Sequence, residues 1–136
     1  MEWSLIEYGA NRDYLATSHL TNVEEFGADF ARQEAQLHGD VREADHNHPN
    51  DPLFPQTIFG PSGCFDGDMY TAAYIRTGIR QGDLGFANSL MMYNKQYSWS
   101  QGQWIYMPII FKVYDQASNT IYQFNNNDVL NTTPWR

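Results

Sequence analysis

The stretch "DVREADHNHP", residues 40–49, decides how the rest of the chain is interpreted. Its first nine residues have the length of a β-strand, and Pro49 cannot continue a central ladder, so the strand should end at the histidines. Side chains alternate between the two faces of a strand, which places His46 and His48 on the same face. We therefore predict a strand that presents two imidazoles side by side at its end.

Strand-like and helix-like segments precede this stretch. "WSLIEYG", residues 3–9, predicts a short buried strand that is closed by Gly9. Residues 22–38 predict a helix that covers a sheet and stops at Gly39, with Thr21 and Glu24 as a capping box. The predicted apolar face of this helix consists of Val23, Phe26, Phe30 and Leu37.

The second half predicts two helices and a hairpin. Residues 49–63 are rich in proline and glycine and indicate a long ordered loop. Helices are then expected to begin at Asp68 ("DMYTAAYIRTGIRQ") and at Asp83 ("DLGFANSLMMYNKQ"), each with an aspartate at a capping position. "QWIYMPIIFKVYD" and "TIYQFN", joined by "QASN", predict a hairpin, and the polar tail after it is expected to fray. The expected fold is a single α/β (α+β) domain over residues 1–136, with a mixed β-sheet flanked by helices.

Composition narrows the function classes. The formal net charge is −8, so the protein should repel a phosphate backbone, and we expect no nucleic-acid partner. Cys64 is the only cysteine, which rules out an internal disulfide and a cysteine-rich zinc cluster. No stretch has the roughly 20 apolar residues of a membrane span, so no membrane partner is expected either.

The two histidines are candidate metal ligands. Imidazoles on one face of a strand end can bind the same ion, with a third ligand from elsewhere in the chain and one position left open for chemistry. Without a thiolate cluster, any metal must be held by histidines and carboxylates. The alternative is that His46 and His48 are ordinary histidines of a strand end, since H-x-H alone is a short motif.

"HNHP" followed by "PSGCFDGD" resembles the core motif of the JAB/MPN/JAMM metallopeptidases, in which a distant glutamate precedes H-x-H-P, a serine and an aspartate. The resemblance implies a cytidine-deaminase-like JAB/MPN architecture and a Zn²⁺ cofactor held by His46, His48 and an aspartate. Ser62 matches the motif serine. Upstream, Glu2 and Gly9 fit the two ends of the family's glutamate pattern, although Leu5 and Glu7 depart from its interior, and Glu7 is the competing glutamate.

The third ligand has two candidates. The family's spacing places the aspartate three residues after the serine, but that position here is Phe65, and the nearby acids are Asp66 and Asp68. We prefer Asp68, because a carboxylate at the N-terminus of a helix is favoured in the charged form that a metal requires. Asp83 is the alternative. It also begins a predicted helix, and it would make residues 65–81 an insertion.

The resemblance implies hydrolysis of an amide or isopeptide bond. Zinc would lower the pKa of a water toward ~7, Glu2 would act as general base and then general acid, and Ser62 would donate to the developing oxyanion. Asp45 and Asn47 are candidates to orient the imidazoles, and solvent-facing strand positions are their alternative role.

The chain is most similar to the JAB-like toxin domains at the C-termini of bacterial polymorphic toxins, including Rhs-type proteins. That similarity implies a protein or peptide substrate and an immunity protein as partner. The chain shows no export signal, and its abrupt start on a strand predicts a domain excised from a longer protein that is secreted or delivered into a target cell.

Two other functions remain open. "DHNHP" is also similar to the metal-binding segment of HNH nucleases, although the cysteine pairs and the arginine-rich stretch of that family are absent, and the negative charge disfavours DNA. The third hypothesis is a non-catalytic MPN-like binding module.

Overall fold

The computed structural model describes residues 2–17, 26–49, 60–62, 74–79 and 81–135. In this part of the chain, two helices pack on one face of a six-stranded sheet, and a separate two-stranded sheet follows the second helix. None of the described helices is long and apolar enough to cross a membrane. The expected class, a mixed sheet combined with helices, is confirmed.

The elements follow in chain order. The strands and helices are β1 (Trp3–Tyr8), β2 (Arg12–Thr17), α1 (Phe26–Leu37), β3 (Val41–His48), α2 (Gly82–Tyr93), β4 (Lys95–Ser98), β5 (Gln103–Tyr106), β6 (Ile110–Asp115), β7 (Thr120–Phe124) and β8 (Val129–Pro134). The large sheet has the order β2-β1-β3-β6-β7-β8, and β4 pairs with β5. Among the described strands of this sheet, only the β3–β6 pair is parallel, and the other neighbours are antiparallel. The histidine strand β3 therefore lies inside the sheet, between β1 and β6.

The core lies between the large sheet and the two helices. Ile6, Val41, Ala44, Phe111, Val113 and Phe124 are its sheet residues, and helices α1 and α2 contribute Ala31, Ala35, Leu84, Ala87 and Leu90. Registered pairs link Ile6 with Ala44 and Ala44 with Phe111 across three neighbouring strands. Because alternation places every second residue on this face, His46 and His48 continue the core row of β3 toward its end.

Helix α1 buries a different face from the predicted one. Its fully buried residues are Gly27, Ala31 and Ala35, which recur every four residues and allow a close approach to its neighbours. Phe26 and Leu37 are 73% and 66% exposed, so their assignment to the buried face is wrong. Of the described residues of the predicted apolar face, only Phe30 packs on the core, where it stacks on Tyr14. Residues 18–25, which include the predicted cap and Val23, lie outside the described residues.

Helix α1 ends where the sequence predicted. Gly39 adopts a φ of +61° and donates its N–H to the carbonyl groups of Glu34 and Ala35. A Cβ atom at Gly39 would lie 2.0 Å from the carbonyl oxygen of Lys95. Glycine is therefore required both for the left-handed conformation and for the close approach to β4.

The predicted elements differ from the structure in four further places. Strand β2 was not predicted, and it forms an edge of the large sheet. The second predicted helix is described only in part: residues 74–77 are helical, and 78–79 are not. "QWIYMPIIFKVYD" is two strands, β5 and β6, interrupted around Pro108, and only β6 forms the predicted hairpin with β7. The tail does not fray, because β8 pairs with β7.

Candidate metal centre

Two histidines and one aspartate converge at the end of β3. Nε2 of His46 lies 3.1 Å from Oδ1 of Asp83, and Nε2 of His48 lies 3.1 Å from Oδ2 of the same carboxylate. The two Nε2 atoms are 3.3 Å apart. One ligand atom from each of the three residues lies within 4.8 Å of the others, which is the arrangement of a three-ligand metal site.

The fold explains this convergence. His46 and His48 share the helix-facing side of β3, and Pro49 ends the strand directly after them. Helix α2 begins at Gly82, so Asp83 lies in its first turn, where the helix dipole favours a negative charge. The carboxylate therefore lies at the N-terminus of a helix. The same reason, that this position favours a charged carboxylate, led to the prediction of Asp68. Asp68 itself lies outside the described residues.

Ser62 holds Asp83 in place. The Ser62 N–H donates to Oδ2 of Asp83 at 2.9 Å, and the Asp83 N–H donates to Oγ of Ser62 at 2.8 Å. The carbonyl oxygen of Ser62 also accepts the N–H of Leu84. Ser62 thus satisfies two free donors at the start of α2, while Gln81 at the N-cap position makes no side-chain bond. A hydroxyl group has one donor and two acceptor positions, so its O–H remains able to donate.

The site is electrostatically polarised. Burial alone would raise the pKa of Asp83, but the charge of His46 and hydrogen bonds from both imidazoles hold it well below its ordinary value. Burial lowers the pKa of His48, but the hydrogen bond and the charge of Asp83 outweigh this effect and raise the pKa above 6.5. Without a metal, the proton of His48 therefore offsets the charge of the Asp83 carboxylate, and a cation at the same position would replace it.

Glu2 and Glu7 lie on opposite faces of β1. Glu2 has the same parity as the buried Ser4 and Ile6, and it lines a cavity of about 120 Å³ together with His46 and Asp83. Its charge contributes to the raised pKa of His48. Glu7 is registered with Asp13 and Glu43, on the face away from the helices. Of the two candidate bases, only Glu2 therefore lies beside the imidazoles.

The cavity lies between the sheet and the helices. Besides Glu2, His46 and Asp83, its walls include Ser4, Ile6, Ala28, Ala44 and Phe86. Its apolar members belong to the same layer as the hydrophobic core. The side chains of His46 and His48 are 15% and 19% exposed, so an ion from solvent can reach them. They are also buried enough for electrostatic interactions to be stronger than in water.

Asp45 and Asn47 belong to the opposite face of β3. Both are buried, and the amide oxygen of Asn47 accepts the N–H of Trp3 at 2.7 Å. Burial, together with a hydrogen bond to Glu43, raises the pKa of Asp45 to about 9. Neither residue is solvent-facing, and alternation directs both side chains away from the imidazoles. Among the described residues, Nδ1 of His48 has no hydrogen-bond partner, which differs from most metal-bound histidines.

Asp115 is a positioning residue that the sequence did not reveal. It is fully buried at the end of β6 and is registered with His48. Its Oδ2 atom accepts the N–H of Gly60 at 2.8 Å, two residues before Ser62. Its other carboxylate oxygen accepts the N–H of Ser118. In the sequence, Asp115 precedes "QASN" and resembles a plain turn residue, because only the parallel β3–β6 pairing brings it beside His48.

Comparison of the chain with known proteins gave no match to a family model, to a curated protein or to a solved structure. The geometry of the described residues is therefore the basis for assigning a function.

Proposed function

We propose that this chain is a zinc-dependent hydrolase of amide or isopeptide bonds, with a JAB/MPN-like arrangement of its site. The observation that carries the proposal is the convergence of His46, His48 and Asp83 beside a cavity lined by Glu2. Three nitrogen and oxygen ligands with room for a water are the donor set of catalytic zinc sites. A strand that ends in H-x-H-P, with a serine bonded to the third ligand, adds support from the motif.

The chain's own residues divide the chemistry between them. When bound, zinc would supply Lewis-acid chemistry and a water of lowered pKa. His46, His48 and Asp83 would hold the metal, and the hydrogen bonds of Ser62 and the first turn of α2 would keep the carboxylate oriented. Because the imidazoles must give up their protons to bind a cation, metal uptake should weaken as the pH falls.

Glu2 is the proposed proton carrier. It directly precedes β1 and lines the same cavity as His46 and Asp83, so its carboxylate can accept a proton from a water there. The same group would then deliver that proton to the leaving amine. Glu7 cannot take this role from the opposite face of the sheet.

Ser62 is the proposed oxyanion donor. Its Oγ atom accepts the N–H of Asp83, which fixes the hydroxyl beside the metal ligands and leaves its proton available for a substrate oxygen. Removing such a donor commonly costs 10²-fold or more in rate, which corresponds to roughly 3 kcal/mol in activation free energy.

The biological setting is proposed from the motif. We propose a toxin domain of an Rhs-type or similar polymorphic protein, delivered into a target cell as part of that larger protein, with a protein or peptide as substrate and an immunity protein as partner. The charge of −8 argues against the HNH-like nuclease alternative, because a DNA substrate would be repelled.

The test begins with the metal. Zinc content should fall by about one equivalent per chain between the parent and the His46→Ala/His48→Ala double variant. Equal zinc content in both proteins, with both folded by circular dichroism, would contradict the metal centre.

Catalysis is tested with Glu2→Gln and the matched control Glu7→Gln. Cleavage of peptide amides and of isopeptide-linked ubiquitin dimers should disappear in Glu2→Gln, while its zinc content stays that of the parent. Glu7→Gln should keep both properties. A metal-loaded parent that cleaves DNA but no peptide would favour the nuclease, and one that cleaves neither would favour the binding module.

A further inference from the structure

A second group of potential metal ligands lies at the C-terminal end of α1. Glu34, His38 and Asp40 each offer one ligand atom, and these atoms lie within 4.8 Å of one another. Nδ1 of His38 is 3.0 Å from Oε2 of Glu34. The mixture of one imidazole and two carboxylates is a ligand set used by zinc and related divalent ions.

Local structure brings the three side chains together. Glu34 and His38 are four residues apart and therefore lie on the same side of the helix end. Gly39 ends the helix with its positive φ, and the following residue, Asp40, is held by a hydrogen bond from the N–H of Gly9 to its carbonyl oxygen. The cluster thus joins the end of α1 to the turn between β1 and β2.

Within the described residues, the only ion pair recorded for the cluster is the one between Glu34 and His38. The last turn of α1 contains no basic residue, although the negative end of the helix dipole favours one there. Oδ1 of Asp40 is buried and has no hydrogen-bond partner among the described residues. The side chains of Glu34 and Asp40 also contact each other. Two carboxylates in contact and an unsatisfied buried oxygen mark a position that a cation would stabilise.

We propose that Glu34, His38 and Asp40 form a second divalent-cation site, which binds zinc or a similar ion and fastens the end of α1 to the β1–β2 turn. This site is separate from the His46–His48–Asp83 centre, because the extended strand between Asp40 and His46 spans roughly 20 Å. The His38 side chain is 59% exposed, so the ion should exchange more readily here than at the more buried centre. Its effect is on stability, and the proposal does not depend on the proposed hydrolase activity.

The experiment is a zinc titration of the full chain. Calorimetry measures the number and affinity of the bound equivalents, and thermal unfolding measures their effect on stability. The parent should bind two equivalents, the second more weakly than the first. His38→Ala should weaken the second equivalent at least 10-fold and leave the first, whereas His46→Ala/His48→Ala should lose the first and keep the second. Asp29→Asn, which removes an exposed carboxylate from the same helix, is the matched control and should bind like the parent.

Stability gives an independent measurement. In the His46→Ala/His48→Ala background, added zinc should raise the Tm, and this rise should vanish when either His38→Ala or Glu34→Gln is added. Two outcomes would overturn the second site: a folded double variant that binds no zinc, or a second equivalent that survives both His38→Ala and Glu34→Gln. Loss of the first equivalent alone would leave this proposal intact and contradict only the hydrolase centre.

Discussion

The two faces of β3 place buried polar groups in opposite electrostatic situations. On one face, His46 and His48 point their Nε2 atoms at a single carboxylate, whose pKa is held well below its ordinary value. On the other face, burial and the neighbouring Glu43 outweigh the opposing charge of Lys112, and the pKa of Asp45 is raised to about 9. Burial acts on both aspartates in the same direction. The difference shows that a convergent set of imidazole partners, more than burial, decides whether a buried acid stays in the charged form that a metal would require.

Replacing the two aspartates separately should give the largest contrast. Asp83→Asn removes a charged ligand and should weaken zinc binding at this centre by at least about 100-fold, since even the outer partners of metal ligands are worth about 10–100-fold. Asp45→Asn replaces a neutral carboxyl with a neutral amide and should leave zinc binding unchanged. Zinc titrations in the His38→Ala background would isolate the centre, and equal losses in both variants would refute the distinction between the faces.

Asp45→Asn should instead change stability, in a pH-dependent way. A carboxyl whose folded pKa is raised contributes its stability below its unfolded pKa of 3.8 and loses it as the pH rises toward about 9. The amide of the Asn variant does not ionise, so the variant does not lose stability in this way, and its amide can donate a hydrogen bond to Glu43. The variant should therefore gain stability over the parent as the pH rises, on the order of 3 kcal/mol by pH 8. Urea unfolding of the metal-free proteins at pH 5 and pH 8 measures the gain, and a constant difference would show that Asp45 is charged.

Asp115→Ala should disturb the candidate metal centre indirectly, through the segment that carries Ser62. The change leaves the buried N–H of Gly60 without its acceptor, and such a loss costs about 2 kcal/mol in the free energy of unfolding. Because Gly60 lies next to the segment that carries Ser62, hydrolytic activity should fall further than zinc content. Asp29→Ala, at an exposed position, is the control and should change stability by less than about 0.5 kcal/mol. Parent-like stability of Asp115→Ala would contradict the positioning role.

The smallest expected effect is the pH dependence of the His48–Asp83 pair without metal. The raised pKa of His48 gives stability that is present below 6.5 and is lost as the pH rises through the folded value, whereas the lowered pKa of Asp83 gives stability that is lost as the pH falls below 3.8. The pair should thus add about 1 kcal/mol between these limits. Comparison with metal-free Asp83→Asn tests this, and parallel pH profiles would contradict it.

Short-range signals predicted much of the framework. The period of β3, the stop at Pro49 and the positive φ of Gly39 depend on the local chain, and they were correct. The buried face of α1 was mispredicted because the prediction followed the large apolar residues. The face that is buried consists of the small residues Gly27, Ala31 and Ala35. Strands β2 and β8 were missed, since both are polar edge strands whose pairing depends on their neighbours.

The candidate site was predictable only in part. His46 and His48 could be paired from their spacing, and alternation along β1 would have separated Glu2 from Glu7. The choice between Asp68 and Asp83 could not be made from the chain, because both begin predicted helices and local sequence does not encode which helix end faces β3. Asp68 lies outside the described residues, and Asp83 is the aspartate that contacts both imidazoles.

By itself, the sequence determined a strand that ends in two imidazoles on one face, a helix stop at Gly39, an acidic net charge and the absence of a cysteine-rich metal cluster. The strand and the helix stop follow from backbone geometry within a few residues, and the charge follows from the composition of the whole chain. Tertiary structure decided that Asp83 meets the histidines, that Ser62 fixes it, that Glu2 shares their cavity and that Asp115 lies beside His48. These contacts join residues far apart in the chain, and burial against the packed helices and the parallel β3–β6 pair determines them.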